Sequence, residues 1–467
     1  YTIVMIEQVT EPPNPDRKVT EILSPGMNIN LNTKKSNYMM VVYYEKIKNL
    51  IISGISCIDI STGRSFVYEV GSTKDDVDFA NNEIFRLLLV YNPCELVILS
   101  NDTIDDNDKT YILNNLNINN NILIHYKWNS YEYIDVMEKL NYQEIILKKV
   151  YKSIKSQLDI IELLNLQFYN IGRIAFCCLL QFAYNHNTDI INDLLKPEIL
   201  ENNKYLNLEY DSALQLNIIS INNNEKPLLE ILNRCCTSFG TRLFKQRLLQ
   251  PIVNIEELNK KYDDIDLLLD NELFKKVSKY LNKILDLERI KRKIIICKLN
   301  PHEWCGFTSS LENTLEILNL LSLNNEKEQV ENIIGSYIDI INLDNASKYN
   351  INDIKGNIFK EGIYEDVDEY EKDYIITYNK IKKICENISN LDKTNDSTNC
   401  KIEYTDRDGY YLLITKKRYE NAKKIAPKFI NNFKILLPNQ QTNYKLSCDE
   451  LNEYSRNIEE KLKLISE

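Results

Sequence analysis

A cluster of basic side chains occupies one short stretch late in the sequence. From Lys401 to Lys434, nine Lys and Arg residues stand against four Asp and Glu residues, a local net charge of +5 in a chain whose total net charge is -11. Such a local reversal of charge is typical of a surface that contacts nucleic-acid phosphates, although many basic runs are only solvated faces. We predict contacts with the nucleic-acid backbone through Arg407, Lys416, Lys417, Arg418, Lys423, Lys424 and Lys428.

A second candidate is a carboxylate in the segment Ile58–Arg64, where Asp59 stands late in a strand-like run. A nuclease that uses two metal ions needs several carboxylates that converge around those ions. Further carboxylates nearby in the sequence are Glu69, Asp75, Asp76 and Asp78. The alternative is structural, because Asp59 and Thr62 suit side-chain to backbone hydrogen bonds that organise a hairpin turn. We favour the hairpin turn.

Other kinds of site have little support in the sequence. The three histidines, His125, His186 and His302, lie far apart without ligand-like spacing, so we expect no metal centre. Neither a phosphate-binding loop nor a Gly-x-Gly-x-x-Gly motif occurs, so this chain alone is not expected to hydrolyse ATP. No apolar run approaches the ~18 residues of a membrane span. Eleven scattered cysteines indicate free thiols in an intracellular, reducing compartment, which could be the cytoplasm, nucleus, mitochondrion or a viral replication site.

The elements that position these residues divide the chain. Its 467 residues suggest about three domains, and only 11 Gly and 11 Pro favour helices over turn-rich sheets. Residues 1–35 combine an alternating stretch with a proline-rich turn, which we interpret as the end of a domain that begins outside this chain. Residues 38–126 switch between strand and helix periods, which indicates a small α/β domain. Its predicted strands are Met39–Tyr44, Ile51–Ile60, Ser65–Val70, Leu96–Leu99 and Ile122–Tyr126, and its predicted helices lie near 76–90 and 103–116.

From about residue 141 onward the apolar residues have helical spacing. The predicted helices are Glu144–Leu166, Gly172–Tyr184, Leu228–Arg234, Thr237–Leu249 and Ile255–Asp270. Thr237 is the predicted N-cap of its helix. The apolar residues Leu243, Phe244 and Leu248 are predicted to form the buried face of that helix. This pattern indicates an α-helical core domain.

Two long amphipathic helices are predicted over Val367–Ile388 and Leu451–Ile465, because apolar residues recur there every three or four positions. Between them we predict strands at Lys401–Tyr404 and Tyr410–Thr415, joined by a turn at Asp406–Gly409. A β-containing module is therefore expected at the tip of a helical hairpin. We expect this module to bury little apolar surface and to be among the least stable parts of the protein.

Several segments, in order along the chain, carry the motifs of one family. The run Leu228–Leu243, continuing to Leu248–Pro251, and the segment Asp286–Ile290 resemble two successive core motifs of the MutS DNA mismatch-repair proteins. The other matches are Phe359–Ile363 with Asp368-Glu369 at the start of the lever helix, Gly409–Tyr411 in the clamp, Ile58–Arg64 in the connector and Tyr1–Gly26 at the end of the mismatch-recognition domain. The proline-rich opening is most similar to the branch found in large DNA viruses and coral mitochondria.

The resemblance implies a multidomain fold of class α plus α/β. It combines an RNase H-like α/β connector, a mostly helical core with two long lever helices, and a small β-containing clamp at their tip. The implied boundaries are 1–35 for the remnant of the mismatch-recognition domain, 36–135 for the connector, 136–365 for the core, 366–394 for the descending lever helix, 395–443 for the clamp and 444–467 for the returning lever helix.

The resemblance also implies a function, the binding of mismatched or damaged duplex DNA in mismatch repair. This chain would supply the connector, the core and a clamp that contacts the DNA backbone without reading bases. In the family a Phe-x-Glu motif wedges into the mismatch, but Phe359-Lys360-Glu361 stands at the start of the lever helix, so we do not transfer the wedge role to it.

Cofactors and protein partners follow from the same resemblance. ATP and Mg are implied only for an ATPase domain outside this chain, which itself is expected not to be an enzyme. The implied partners are double-stranded DNA, a second subunit in a homodimer or heterodimer, and a MutL-like protein at the connector. Two alternatives stay open: an RNase H-like metal-dependent nuclease that uses Asp59, and a non-catalytic interaction scaffold.

Overall fold

The computed structural model describes most of the chain. The described residues are 2–10, 15–29, 33–48, 50–115, 122–128, 134–154, 156–201, 204–206, 208, 210–219, 226–351, 353–391, 400–405, 407–436 and 443–466. Residues 11–14 of the proline-rich turn and Asp406 of the predicted turn near the clamp strands lie outside these ranges.

The chain forms two compact units. The first comprises Tyr1–Leu299 with Ser309–Lys327, and the second comprises Asn300–Thr308 with Glu328–Glu467. Each unit buries apolar clusters of its own.

The first unit contains an exposed two-stranded ribbon and a six-stranded sheet. The strands are β1 (Ile3–Gln8), β2 (Arg17–Leu23), β3 (Tyr38–Ile47), β4 (Leu50–Asp59), β5 (Arg64–Gly71), β6 (Glu95–Ser100), β7 (Leu123–Trp128) and β8 (Glu198–Ile199). In the large sheet the order is β7-β6-β3-β4-β5-β8. Strands β3, β4 and β5 form an antiparallel meander, β6 and β7 run parallel to β3, and β8 runs parallel to β5. The five strands predicted between residues 38 and 126 are confirmed.

Helices cover both faces of this sheet. They are α1 (Phe79–Tyr91), α2 (Asp106–Asn115), α3 (Ile134–Met137), α4 (Leu140–Val150), α5 (Ile160–Leu163) and α6 (Asn170–His186). Side chains of β3 alternate between the two faces, so that Val41 packs in one cluster with Phe176 of α6 and Val42 packs in another with Ile84 of α1. Because neither face of β3 meets water, the strand is apolar along most of its length.

The single helix predicted over Glu144–Leu166 is wrong. Helix α4 ends at Val150, and the next helix, α5, begins at Ile160. Asp159 starts this new helix, because its carboxylate accepts a hydrogen bond from the backbone N–H of Ile161 at 3.2 Å. Apolar residues on both sides of the break face one core, so their spacing resembled a continuous helix.

Short helices follow the sheet. They are α7 (Tyr210–Gln215), α8 (Leu228–Leu232), α9 (Ser238–Leu249), α10 (Ile255–Leu269), α11 (Leu273–Leu281) and α12 (Leu287–Ile295). The predicted N-cap is confirmed, since Thr237 Oγ1 accepts a hydrogen bond from the N–H of Gly240 at 3.1 Å.

The predicted buried face of α9 is wrong. Leu243 is 43% exposed and Leu248 is only partly buried, whereas Leu249 is 2% exposed. The side chain of Arg242, two turns before Leu249 on the same side of the helix, is 9% exposed. An arginine occupies a buried position of this helix, so the apolar pattern indicated the wrong phase.

The second unit contains the predicted pair of long helices and a four-stranded sheet. Most of α13 (Pro301–Leu321) and the first residues of α14 (Asn324–Ile338) belong to the first unit, and the rest of both helices belongs to the second. The further elements of the second unit are α15 (Leu343–Ala346), α16 (Glu365–Asn390), β9 (Cys400–Thr405), β10 (Gly409–Thr415), α17 (Lys416–Ile425), α18 (Pro427–Ile430), β11 (Lys434–Ile435), β12 (Asn443–Ser447) and α19 (Asp449–Ser466). The sheet is antiparallel with the order β11-β12-β10-β9.

Helices α16 and α19 run antiparallel to each other. Lys461 forms an ion pair with Asp373 at 3.1 Å near the start of α16. Further along α16, the ammonium group of Lys380 lies 5.5 Å from the ring centre of Tyr454. From the first contact to the second, the residue number rises on α16 and falls on α19, so the two helices run antiparallel.

The sheet of the second unit buries more apolar surface than the sequence suggested. Leu412 and Ile414 of β10, Ile430 of α18 and Leu446 of β12 share one buried cluster with side chains of both long helices, including Ile381. The expectation that this module buries little apolar surface is therefore wrong. Because its core is continuous with that of the helices, it is stabilised by their packing.

Candidate nucleic-acid interface

The hairpin of β9 and β10 is fixed against α19 by a glycine. Gly409 has a φ of +65°, a left-handed conformation that strains other residues. A Cβ atom added there would lie 3.2 Å from Ser455 Cβ and would overlap its Oγ. The next residue, Tyr410, donates its backbone N–H to Ser455 Oγ at 2.8 Å. The segment Gly409–Tyr411, singled out in the sequence, thus joins the hairpin to a long helix.

Tyrosine rings join the same hairpin to α16. Ring centres are separated by 6.1 Å between Tyr374 and Tyr378, by 6.0 Å between Tyr378 and Tyr410, and by 4.9 Å between Tyr410 and Tyr404. Burial raises the pKa of Tyr410 to about 12, so its hydroxyl stays neutral at physiological pH. These edge and tilted contacts hold the hairpin on α16.

Helix α17 places basic residues on the surface of this sheet. Tyr419 and Ala422 are its buried side chains. At 100° per residue, Lys417 and Lys424 lie on the face opposite this pair, and both are exposed. Lys423 is also exposed, on one flank of the helix. Outside this buried stripe, five of the side chains of the helix are basic and one, Glu420, is acidic.

Six of the seven predicted contact residues lie on consecutive helices. Five stand on α17 and Lys428 stands on α18, where it is exposed. We call these six the basic surface: Lys416, Lys417, Arg418, Lys423, Lys424 and Lys428. Arg407 is exposed but precedes β10, whereas α17 follows it. A seven-residue strand spans roughly 20 Å, so Arg407 is separated from the basic surface.

The first turn of α17 concentrates positive charge. It consists of Lys416, Lys417, Arg418 and Tyr419, and the N-cap is Thr415. Cations at a helix N-terminus are disfavoured by the helix dipole, typically by 0.3 to about 1 kcal/mol each. An anion bound at this turn would relieve that repulsion.

Two other lysines near the sheet are paired. Lys445 lies 3.4 Å from a carboxylate oxygen of Asp408, with its ammonium 4.3 Å from the ring centre of Tyr411. Lys434 lies 3.3 Å from a carboxylate oxygen of Asp449. The count of basic residues between Lys401 and Lys434 included Lys434 without revealing this ion pair.

The structural interpretation of Asp59 is confirmed. The carboxylate is 1% exposed and accepts hydrogen bonds from Ser61 N–H at 3.0 Å, Ser61 Oγ at 2.6 Å and Asn37 N–H at 3.1 Å. Thr62 Oγ1 donates to the backbone oxygen of Asp59 at 3.3 Å. Glu69, a candidate partner in a nuclease site, instead accepts the N–H groups of Ile171 and Gly172 at the start of α6.

Two motifs quoted in the sequence analysis meet at a mostly buried ion pair. The guanidinium of Arg242 in α9 contacts both carboxylate oxygens of Asp286 at 2.7 Å and an oxygen of Glu288 at 2.6 Å. Glu288 also pairs with Arg64, which begins β5, at 2.5 Å. Burial opposes the charge on Arg242, but hydrogen bonds from the two carboxylates reverse the effect and raise its pKa.

Further arginines extend this junction. Arg289 donates to Ser61 Oγ at 3.2 Å and to the backbone oxygen of Lys35 at 2.7 Å. Arg292 is 1% exposed and donates to the backbone oxygen of Asn192 at 2.7 Å. Sequence reasoning missed these roles, although Arg242 and Arg289 both stand in quoted motifs.

The start of α16 is organised by a buried carboxylate. Asp368 accepts hydrogen bonds from the N–H of Gly362 and from Asn357 Nδ2, both at 2.7 Å. Gly362 has a φ of +88°, which favours glycine at this turn. Phe359 packs edge-on against Tyr364 with 4.7 Å between ring centres. The segment Phe359–Ile363 therefore leads into the long helix through a defined turn.

Among the described residues, no group of three or more His, Cys, Asp or Glu side chains is placed to hold a metal ion. Among the helices in the described ranges, none is both long enough and apolar enough to cross a membrane. All eleven cysteines are free thiols.

Comparison with known proteins identifies the family. Residues 211–460, more than half of the chain, match the protein family described as MutS domain III. The chain therefore belongs to the MutS family.

Relatives with curated names agree with this placement. A putative DNA mismatch repair protein, a MutS homologue of Acanthamoeba polyphaga mimivirus, is 27% identical over 92% of this chain and 42% of its own length. DNA mismatch repair proteins MutS of Caldanaerobacter subterraneus and Lachnoclostridium phytofermentans are 28% and 26% identical, over 99% and 89% of this chain and 51% and 43% of their own lengths. The chain thus spans about half the length of the curated relatives that it matches. The first of these relatives is viral, in agreement with the expected likeness to a viral branch.

Proposed function

We propose that this chain supplies the connector, core, lever and clamp parts of a MutS protein in DNA mismatch repair. The antiparallel meander β3-β4-β5 with parallel strands β6 and β7 beside it supports an RNase H-like connector at 36–135. The antiparallel helices α16 and α19 support the two levers. The sheet that they carry supports the clamp at 395–443.

The observation that carries the DNA-binding role is the basic surface. Between Lys416 and Lys428 there are six basic residues and one acidic residue, Glu420, in a chain of net charge -11. This segment lies within the region that matches MutS domain III. Flexible lysines suit the phosphate backbone, because a compact ammonium pairs with phosphate without fixed geometry and without reading bases.

The test is the salt dependence of duplex binding. The 467-residue chain and its triple variant Lys416→Gln, Lys417→Gln, Arg418→Gln are titrated with a fluorescent duplex between about 50 and 200 mM salt. We expect the variant to bind every duplex sequence more weakly, with a slope of log affinity against log salt that is smaller by up to about three units. Matched and mismatched duplexes are expected to bind this chain alike.

A matched control removes the same charge elsewhere. Lys260, Lys276 and Lys279 are exposed in the first unit, and their triple replacement by Gln changes the net charge equally. We expect this control to retain the parental slope. Equal slopes for both variants, or parental binding that salt does not weaken, would show that the basic surface is only solvated.

Whether this chain cleaves DNA is tested by a separate experiment. We propose that this chain binds DNA without cleaving it, because Asp59 and Glu69 are both engaged in backbone hydrogen bonds. Incubation of labelled duplex with Mg²⁺ or Mn²⁺ should release no fragments. Cleavage that Asp59→Asn abolishes would support the nuclease alternative instead.

The remaining roles belong to the full-length protein. We propose that ATP and Mg²⁺ serve an ATPase domain outside this chain, that the protein forms a homodimer or heterodimer, and that a MutL-like protein binds the connector. We also propose an intracellular, reducing location. Light scattering of the full-length protein, and pull-down of a MutL protein with and without residues 36–135, test these assignments.

A further inference from the structure

Two cysteines face each other where α16 meets the sheet of the second unit. Cys385 lies near the end of α16, and Cys400 is the first residue of β9. The sulfur of Cys385 lies 3.3 Å from the backbone oxygen of Cys400. The two side chains also shift the pKa of each other. A sulfur this close to the backbone of a second cysteine places the two residues side by side, and this proximity is what a disulfide between them requires.

The environments of the two thiols differ. A hydrogen bond from Cys400, opposed by burial, lowers the pKa of Cys385, and a hydrogen bond from Ser389 lowers it further. The same interaction with Cys385, together with burial, raises the pKa of Cys400. A thiolate attacks oxidants far faster than a thiol does, so Cys385 is the better nucleophile of the pair.

Exposure is small but not zero at both positions. Cys385 is 7% exposed and Cys400 is 9% exposed. A third cysteine of the same cluster, Cys448, has a comparable exposure of 7% but receives its hydrogen bonds from the backbone N–H groups of Glu450 and Leu451. It therefore serves as a matched control with similar burial and no thiol partner of this kind.

We propose that Cys385 and Cys400 are a peroxide-sensitive dithiol that closes to a disulfide and ties α16 to β9. The Cys385 thiolate attacks one oxygen of hydrogen peroxide, breaks the O–O bond and becomes a sulfenic acid, while the released hydroxide takes up a proton to give water. The Cys400 sulfur then attacks the sulfenic sulfur and expels a second water. Both cysteines are oxidised and the peroxide is reduced, and a dithiol reductant reverses the change.

The test uses the full chain and hydrogen peroxide as the probe. After treatment, denaturation and alkylation, we expect two fewer alkylated cysteines than the eleven of the reduced protein. Mass spectrometry should identify one linked peptide pair that contains Cys385 and Cys400, and dithiothreitol should restore all alkylation sites. The oxidised protein should melt at a higher temperature, because the disulfide restricts the unfolded chain.

Variants separate the two steps. In Cys400→Ala the sulfenic acid on Cys385 has no resolving partner, so dimedone should trap it there, whereas Cys385→Ala should show no adduct at Cys400. Cys448→Ala should still form the Cys385–Cys400 link. The proposal is overturned if peroxide oxidises Cys448 as fast as Cys385, or if the wild-type protein yields no linked peptide while Cys385 becomes a sulfinic acid.

Discussion

Gly409 and Ser455 touch so closely that a side chain on Gly409 would occupy the position of the Ser455 hydroxyl. The two residues lie on β10 and α19, and the hydrogen bond from Tyr410 N–H to Ser455 Oγ adds a polar link to the steric fit. The angle at which the hairpin leaves the long helix therefore depends on the absence of a side chain at one position.

Replacing Gly409 by Ala should destabilise the second unit by about 2 to 4 kcal/mol, since both the positive φ and the overlap with Ser455 oppose a Cβ atom. Urea unfolding measures the change. Gly335→Ala is the matched control, because Gly335 lies within α14 with nothing within 4 Å of an added Cβ. That change should stabilise the protein by roughly 0.5 to 1 kcal/mol. Similar losses from both substitutions would contradict the close contact.

Arg242→Ala should cost about 3 to 5 kcal/mol, because it leaves the carboxylates of Asp286 and Glu288 partly buried without their main partner. Arg234 stands in the same motif but is exposed, so Arg234→Ala should change the free energy of unfolding by less than about 0.5 kcal/mol. Thermal unfolding of the two variants side by side measures the difference. A mild effect at Arg242 would mean that solvent replaces the ion pair.

Lys245 is expected to weaken the fold at neutral pH. Burial lowers its pKa from 10.5 to about 8, and the positive charge of Lys35 contributes. It lines a cavity of about 190 Å³ together with Asp59, Arg242 and Glu288. Because the folded pKa lies below the unfolded pKa, the cost of the charge is full below pH 8 and disappears as pH rises towards 10.5.

Lys245→Met should therefore stabilise the protein by about 1 to 3 kcal/mol at pH 7. The advantage over the parent should shrink between pH 8 and pH 10.5. Urea unfolding across this range is the measurement, with the exposed Lys279→Met as a control that should show no such trend. A constant difference at all pH values would point to packing rather than charge.

Leu249→Ala should cost about 2 to 5 kcal/mol, because Leu249 is 2% exposed in the core beside the sheet. Leu243→Ala should cost less than about 1 kcal/mol, because Leu243 is 43% exposed. Paired denaturation curves decide between this assignment and the helix phase expected from the sequence. A larger loss of stability for Leu243→Ala than for Leu249→Ala would support the helix phase that the sequence predicted.

Sequence patterns were most informative where one physical requirement dominates. Strand β3 was predictable because both faces are buried, and α16 and α19 were predictable because each has one apolar stripe against the other. The cap at Thr237 was predictable because a local hydrogen bond defines it. The turn at Asp59 has the same local character.

Sequence patterns were misleading where residues far apart in the chain determine which side chains are buried. Arg242 is buried because Asp286 and Glu288 neutralise it, and no local spacing reveals such partners. In the candidate interface, the charge count identified the basic segment. It did not show that most of this segment forms the helix α17, which buries one stripe and exposes basic side chains elsewhere. Nor could it show that Lys434 forms an ion pair with Asp449.

The pairing of α16 with α19 has a consequence for the synthesis of the protein. Ile381 and Ile458 share a buried cluster although they are more than seventy residues apart in the chain. Contacts between such distant positions slow folding, because the intervening loop must close before they form. During synthesis, the apolar stripe of α16 stays uncovered until the residues of α19 have left the ribosome. In that interval the stripe is open to chaperones and to aggregation. The rate of translation through the intervening segment therefore sets how long this stripe stays uncovered.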